Sequence, residues 1–303
     1  MINWAIAGLG IQGKKRQGIL GKKVRATFDP YDTNADFSST SQITNIDFEI
    51  LAVCTPNLTK EAYLNWGIEN RVSILVEKPL LFLQPERLME LSELAKKNKI
   101  CIYTAYNHRF EPSIVQLQQK LEKKAIGTIY HVEINYENGT SRDIAASDWK
   151  DAPGNLITDL GSHVLDIFHF LFGYVPEDLK VYEQLAVETK FGDFCAFGNQ
   201  FFSSTISYIS WKSNFKIQVI GELGSFVVTG LQKWGGSNLI FHERIFPSGV
   251  PNSYGEDFVG SDKTWQLEHE FMEFNLERNS YGLISSDIQI NRAIGSLIKQ
   301  VLL

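Results

Sequence analysis

The sequence predicts an α/β fold in two parts: a doubly wound parallel sheet in residues 1–118, followed by a second α/β domain in residues 119–303. Three observations carry this. Short, continuously apolar runs alternate with helical patterns from Ile2 to Ala105, as in βαβ units whose strands are buried on both faces. A glycine-rich turn, G-L-G-I-Q-G, follows the first of those runs. Further on, strand-like runs of alternating polarity and two terminal amphipathic helices replace that rhythm.

The first run, I-N-W-A-I-A-G, reads as a short buried strand. Gly8, Gly10 and Gly13 then fill the G-x-G-x-x-G spacing, with Ile11 and Gln12 between them. The three glycines serve distinct physical ends, namely a tight turn, close backbone approach to a pyrophosphate, and close packing of the next helix on its strand. The helix N-terminus offers free N–H groups and the positive end of its dipole to phosphates. A second strand, V-R-A-T-F, ends in Asp29, about twenty residues past the glycines, where a carboxylate accepts hydrogen bonds from the ribose hydroxyls of NAD. Asp29 would repel the extra phosphate of NADP. The basic residues Lys14, Lys15, Arg16, Lys22, Lys23 and Arg25 stand nearby, and their plainer reading is a solvated helix face. NAD is therefore favoured over NADP.

Next, F-E-I-L-A-V-C-T-P-N is an apolar strand of the parallel-sheet type, ending in Thr55, Pro56 and Asn57. A helix follows, then V-S-I-L-V-E-K-P, a buried strand ending in Glu77, Lys78 and Pro79. Gln84 to Asn98 is an amphipathic helix with Pro85 in its first turn and Leu88, Leu91, Leu94 and Ala95 in one stripe. Ile100 to Ala105 is a further strand. In such sheets ligands bind at the carboxyl ends of the strands, where Thr55, Asn57, Glu77, Lys78 and Asn107 join the glycines on one rim. A lysine between Glu77 and Pro79 could be a surface pair before a proline. Its rim position favours an ammonium that polarises a substrate oxygen.

The second part opens with a short helix (Ile114, Leu117, Leu121) and a strand with Tyr130, Val132, Ile134 and Tyr136 on one face. Residues 138–154 are polar and turn-rich, a loop expected to line the substrate cleft. The stretch N-L-I-T-D-L-G-S-H-V-L-D places Asp159 and His163 four apart, on one face if helical. A carboxylate beside an imidazole orients it and stabilises its cation, as a general base near neutral pH requires. Alone, such a pair is more often a structural hydrogen bond. Asp166 lies on the same side and could contact substrate. Strand-like runs follow at 201–211, 215–221, 225–229 and 238–245, with E-L-G-S as a hairpin signal, and residues 262–279 and 286–302 read as helices. His131, His242 and His269 read as structural, and His169, six residues after His163, lies off its face. No His, Cys, Asp and Glu spacing resembles a metal site, so none is assigned.

The totals narrow the class. At 303 residues the chain can bury a sizeable core, and its net charge of −6 argues against a nucleic-acid binder. Cys54, Cys101 and Cys195 are widely spaced, as buried thiols of a reducing compartment are. No apolar run is long enough to span a bilayer, and an apolar strand starting at Ile2 leaves no room for a signal peptide. The expected setting is the cytoplasm. An uncovered apolar sheet face would pair copies into a homodimer or homotetramer.

G-L-G-I-Q-G, T-P-N, E-K-P, Y-N-H-R-F-E-P and D-L-G-S-H-V-L-D, in this order, resemble the Gfo/Idh/MocA family of NAD(P)-dependent oxidoreductases over residues 4–173. The resemblance implies a Rossmann domain and then an α/β domain with an open, mostly antiparallel sheet. It implies hydride transfer between a nicotinamide and a secondary alcohol or ketone of a sugar, inositol or nucleotide sugar. It carries the family's catalytic lysine onto Lys78, with a cis peptide before Pro79, and its aspartate and histidine onto Asp159 and His163. In that reading His163 takes the hydroxyl proton, Asp159 orients it and Lys78 hydrogen-bonds the same oxygen, although Lys78 could itself be the base. Two features depart from the pattern. Lys60 stands where the family often has histidine, and the segment after Asp29 is short. D-P-Y-D and E-K-P-L-L-F-L-Q-P are similar to members acting on nucleotide sugars. A silent NAD-binding sensor and a reductase of a dihydrodiol or tetrapyrrole are the alternatives.

Overall fold

The computed structural model describes residues 2–80, 84–247, 249–278, 280 and 284–302. Residues 81–83 of the E-K-P-L-L-F-L-Q-P stretch, and Asn279 at the end of an expected helix, lie outside that set. The chain divides into two compact units, Met1–Asn107 with Trp265–Asn291, and His108–Thr264 with Arg292–Leu303. The division thus falls earlier than residue 118, and a late segment joins the first unit.

In the first unit β1 (Trp4–Ala7) leads into α1 (Ile11–Leu20), then β2 (Val24–Phe28) and β3 (Ile50–Val53). α2 (Asn57–Asn70), β4 (Ser73–Glu77), α3 (Pro85–Asn98) and β5 (Ile102–Ala105) follow. Among the described residues these strands form one five-stranded parallel sheet in the order β2-β1-β3-β4-β5. β1 and β3 are buried at every position, which is why they read as unbroken apolar runs. Leu88, Leu91 and Ala95 of α3 are buried in the core with Leu51, Val53, Ile74 and Val76. The short segment after Asp29 holds no long helix; Phe37 bridges to Phe28 and stacks on its ring at 5.6 Å.

The second unit begins with α4 (Pro112–Glu122), β6 (Ile129–Glu137) and a short α5 (Ser141–Ala145) inside the segment expected as loop. A π-turn at Ile157–Gly161 runs directly into α6 (Ser162–Phe172). The strands β7 (Lys180–Leu185), β8 (Phe194–Gly198), β9 (Phe202–Ser207), β10 (Asn214–Gly221), β11 (Gly224–Leu231), β12 (Gly236–Glu243) and β13 (Ser253–Phe258) complete it. Among the described residues they form an eight-stranded sheet, β13-β12-β11-β10-β6-β9-β8-β7. Only β6 and β9 pair in parallel, so the sheet is mostly antiparallel. α4 packs against β11 and β12, and α6 against β6, on the face that buries Val132, Ile134, Phe215, Ile217 and Phe226. The opposite face corrects an expectation. It carries Glu133, Asn135, Lys216, Gln218, Thr229 and Asn238, with a Lys216–Glu133 ion pair at 3.0 Å, and is mainly polar rather than apolar.

α7 (Thr264–Glu277) and α8 (Ser285–Val301) close the chain. Most of α7 and the first turns of α8 belong to the first unit, where Ile284 is fully buried in the core cluster. The last turns of α8 belong to the second, where Ile298 lies against Gly154.

Candidate active site

The rim of the five-stranded sheet is shaped by backbone approaches that only glycine allows. Gly8 leaves β1 at φ +88°, and a Cβ there would meet the Cys54 carbonyl oxygen at 2.7 Å. At Gly13 a Cβ would fall 1.8 Å from the Gly8 carbonyl oxygen, so α1 rests backbone to backbone on the loop. At Gly10, the N-cap of α1, an added Cβ meets nothing within 4 Å, and no side chain caps the helix. Ile11 is 83% exposed beside it. Open space at an uncapped helix N-terminus suits a pyrophosphate.

Asp29 is drawn onto the same loop. One of its oxygens accepts the Leu9 N–H at 2.7 Å, and the other accepts those of Tyr31 and Asp32 at 2.8 and 3.1 Å. Burial works against its ionisation, but these three donors outweigh it and hold the carboxyl below its ordinary value. Thr55 flanks Gly8, and its hydroxyl oxygen is buried with no partner among the described residues. An orphaned acceptor, a Cβ-free cradle and an ionised carboxylate together fit a dinucleotide.

Two buried cations fix the neighbouring strand end. Arg16, 1% exposed, gives its Nε and Nη2 to Glu77 at 2.9 and 2.6 Å and its Nη1 to Glu268 at 2.9 Å. Burial alone would lower its pKa, but the carboxylates of Glu77 and Glu268 raise it, so it stays charged. The solvated reading of the basic cluster therefore fails at Arg16. It holds better at Lys14, which is largely exposed and pairs with Asp32 at 3.0 Å. Nearby His269, 3% exposed, is pushed down to about 3 by burial and by Arg16 and Lys23, and stays neutral. Lys60 from α2 reaches the backbone of the E-K-P turn, donating to the Glu77 carbonyl at 2.5 Å. The Lys78–Pro79 peptide is cis. Pro56 caps α2, and Asn107 opens a 3-10 turn after β5.

In the second unit Asp159 sits in the π-turn, where the Ser162 N–H reaches back five residues to Ile157. Such single π-turns inside α-helices are frequent at functional sites. The Asp159 carboxylate accepts the Tyr208 hydroxyl at 3.0 Å. His163, 8% exposed, tilts its ring 4.5 Å from that of His108 and 5.7 Å from that of Tyr136. The Tyr136 oxygen accepts the Lys233 ammonium at 2.6 Å and lies 3.2 Å from His108 Nε2. Burial, with the Asp159 charge, holds both tyrosine hydroxyls protonated well above their ordinary range. A carboxylate, a buried imidazole and neutral phenols form a polar group able to take and hold a proton.

The remaining motif residues are braces. Glu111 accepts the Gln232 N–H at 3.3 and 3.2 Å and so fixes the turn that carries Lys233. Arg109 gives its Nε to both oxygens of Asp166 at 3.0 Å. Asp166 is 1% exposed and held in that ion pair, which corrects its expected role as a substrate contact. Sequence reasoning missed Tyr208, Tyr136, His108 and Lys233 as neighbours of the pair. The signal for His108 was present in Y-N-H-R-F-E-P, whereas the others come from distant strands and turns. Lys78 belongs to the first unit, Asp159 and His163 to the second. Among the described residues no group of three or more His, Cys, Asp or Glu could hold a metal ion, and no helix is long and apolar enough to cross a membrane.

Comparison with known proteins agrees with this arrangement. Residues 2–106 match the profile described as oxidoreductase family, NAD-binding Rossmann fold, and residues 114–227 match the GFO/IDH/MocA C-terminal domain. An inositol 2-dehydrogenase of Rhizobium meliloti is 25% identical over 149 residues, 48% of this chain and 43% of that protein. An oxidoreductase of Schizosaccharomyces pombe is 26% identical over 154 residues, 50% of this chain and 40% of that protein. The chain thus spans less than half the length of these curated relatives. Among solved structures, an Agrobacterium radiobacter oxidoreductase in complex with NAD+, L-tartaric acid and magnesium superposes with TM-score 0.80 at 14% identity, covering 99% of this chain and 96% of that one. A UDP-N-acetylglucosamine 3-dehydrogenase of Acidithiobacillus ferrooxidans superposes with TM-score 0.72 at 15% identity, covering 99% and 97%. With a glycine cradle and Asp29 in one unit, a sheet-backed Asp159 and His163 in the other, and both profiles matched in order, the chain belongs to the GFO/IDH/MocA family of NAD-binding oxidoreductases.

Proposed function

We propose that the protein transfers a hydride between NAD and a secondary alcohol or ketone of a sugar, inositol or nucleotide sugar. The observation that carries this reading is the single rim of the five-stranded sheet, on which the glycine cradle, Thr55-Pro56-Asn57 and Glu77-Lys78-Pro79 end side by side. Gly8, Gly10, Ile11, Gln12 and Gly13 would hold the pyrophosphate, Asp29 the ribose, and Thr55, Pro56, Asn57, Glu77, Lys78 and Asn107 the remainder of the cofactor. When bound, NAD supplies the two-electron acceptor. As the carbinol C–H gives up its hydride, the hydroxyl proton passes to His163, with Asp159 holding the charge that forms on the ring. Lys78 donates a charged hydrogen bond to the oxygen and stabilises its developing alkoxide character. An inositol 2-dehydrogenase and a UDP-N-acetylglucosamine 3-dehydrogenase among the relatives support a ring secondary alcohol as the reacting group.

The test is a panel of sugars, inositols and nucleotide sugars scored by NADH absorbance. Turnover on at least one is expected. No turnover across the panel, with NAD binding intact by calorimetry, would overturn the sugar reading in favour of a silent NAD-binding protein or a reductase of another substrate. Three free thiols support residence in a reducing cytoplasm. A homodimer or homotetramer through the open sheet face would be held by polar ladders, and sedimentation velocity measures it.

A further inference from the structure

Lys60 is a lysine buried to 2% exposure at the start of α2, directly beneath the turn that carries Lys78. Its Nζ lies 2.7 Å from Asn57 Oδ1, 2.5 Å from the Glu77 carbonyl oxygen, 3.3 Å from that of Pro79 and 3.4 Å from that of Lys78. An ammonium has three hydrogens and no acceptor, so four oxygens around it use all of its donors. Burying a charge is costly unless such partners are supplied. Here they are supplied by one side chain and by three consecutive carbonyls centred on Lys78. Those carbonyls converge like the ligands of a monovalent cation, and a tethered ammonium fills the place. On the other side Arg16 grips the Glu77 side chain, so β4 ends between two fixed cations.

We propose that Lys60 is the positioning residue of Lys78: its ammonium ties the Glu77, Lys78 and Pro79 carbonyls to α2 and sets the direction in which the Lys78 side chain leaves the sheet. This rests on the reading of Lys78 as a catalytic residue. A space-filling role explains less, because an apolar side chain would fill the volume but take the ammonium donor away from the Glu77, Lys78 and Pro79 carbonyls. The charge on Lys60 belongs to the arrangement. Burial pushes its pKa down to about 8, the Glu77 carboxylate pulls it up, the like charge of Lys78 lowers it further, and Cys54 and Asp287 favour the charged form. Below that value the clamp has three N–H donors, and above it two.

Lys60→Ala is the test, with kcat, KM, NAD affinity and melting temperature measured together, with and without ethylammonium chloride. A folded variant should lose kcat by about a hundredfold, the scale of a small misplacement of a reacting group. KM should stay within roughly threefold, since the clamp touches no substrate atom. Ethylammonium should restore kcat by about tenfold by refilling the cation place. A second readout needs no substrate: the rate at which Lys78 is acylated, followed by mass spectrometry. That rate should change in Lys60→Ala and return with ethylammonium, and it tests the clamp even where no sugar turns over. Wild-type kcat, or in the absence of a known substrate a wild-type Lys78 acylation rate, in the folded variant overturns the proposal; so does a loss that ethylammonium leaves untouched in both readouts. Should Lys60→Ala fail to fold, Lys60→Gln keeps an amide donor. Activity between wild type and background then supports the clamp, and full activity overturns it.

Discussion

Lys78, Asp159 and His163 differ in how their surroundings constrain them. Lys78 leaves a strand end whose backbone is bonded from below, and His163 is walled by the rings of His108 and Tyr136. Lys78→Met is expected to lower kcat by about a thousandfold through loss of the charged hydrogen bond to the reacting oxygen. His163→Ala should cost about 10²–10⁴ in kcat, the range for a general base. Calorimetry should find NAD affinity nearly unchanged in His163→Ala and lowered at most severalfold in Lys78→Met, since the glycine cradle and Asp29 are untouched; its complete loss with either change would contradict the assigned roles. Glu111 offers a pH test of a different kind. Burial raises its pKa from 4.5 to about 7, against the Gln232 N–H and Lys233, with Asp262 adding to the rise. Between those values the folded state keeps a proton that the unfolded state has lost, so stability falls as pH rises through that window. Urea unfolding of Glu111→Gln should show that dependence flattened. At this scale Asp29 and the three glycines were legible because a backbone turn and a ribose fix their spacing. Arg16 was not: its partners lie 61 and 252 residues away, and nothing local marks a buried guanidinium.

Elements were legible where both faces or one face are buried. β1, β3 and β4 read as apolar runs, and α3 as a stripe, because burial writes a period into the chain. β7 and β13 have no buried position and no such period, so no pattern of burial marks them as strands. The π-turn is equally invisible: a local widening of the helix leaves the residue types unchanged while shifting where Asp159 points. The α1 contact gives the prediction that belongs here. Gly13→Ala forces a Cβ into the Gly8 carbonyl, and neither is a flexible side chain that could yield. A loss of about 3 kcal/mol in urea unfolding is expected, with NAD binding abolished because the loop itself must shift.

The two units are not consecutive in the chain. The first needs residues 265–291, which bring Ile284 into the core and Glu268 against Arg16. Tertiary return of this kind carries no sequence period, and it is the main reason that sequence alone sets the boundary too late and assigns the last helices to the second part. A fragment of residues 1–107 should therefore fail to fold cooperatively. Its Arg16 would lack Glu268, and a broad, low-amplitude thermal transition by circular dichroism is expected. Adding a peptide of residues 265–291 should sharpen it.

The same return has a consequence during synthesis. On the ribosome the glycine cradle emerges well before residues 265–291, so the unit that contains it stays incomplete until residue 291 has left the exit tunnel. Until then the nascent chain carries the glycine cradle without the segment that completes its unit. Cofactor capture is therefore expected to follow the emergence of residues 265–291, and a chain terminated before them is expected to lose NAD affinity, which calorimetry on the truncated chain measures.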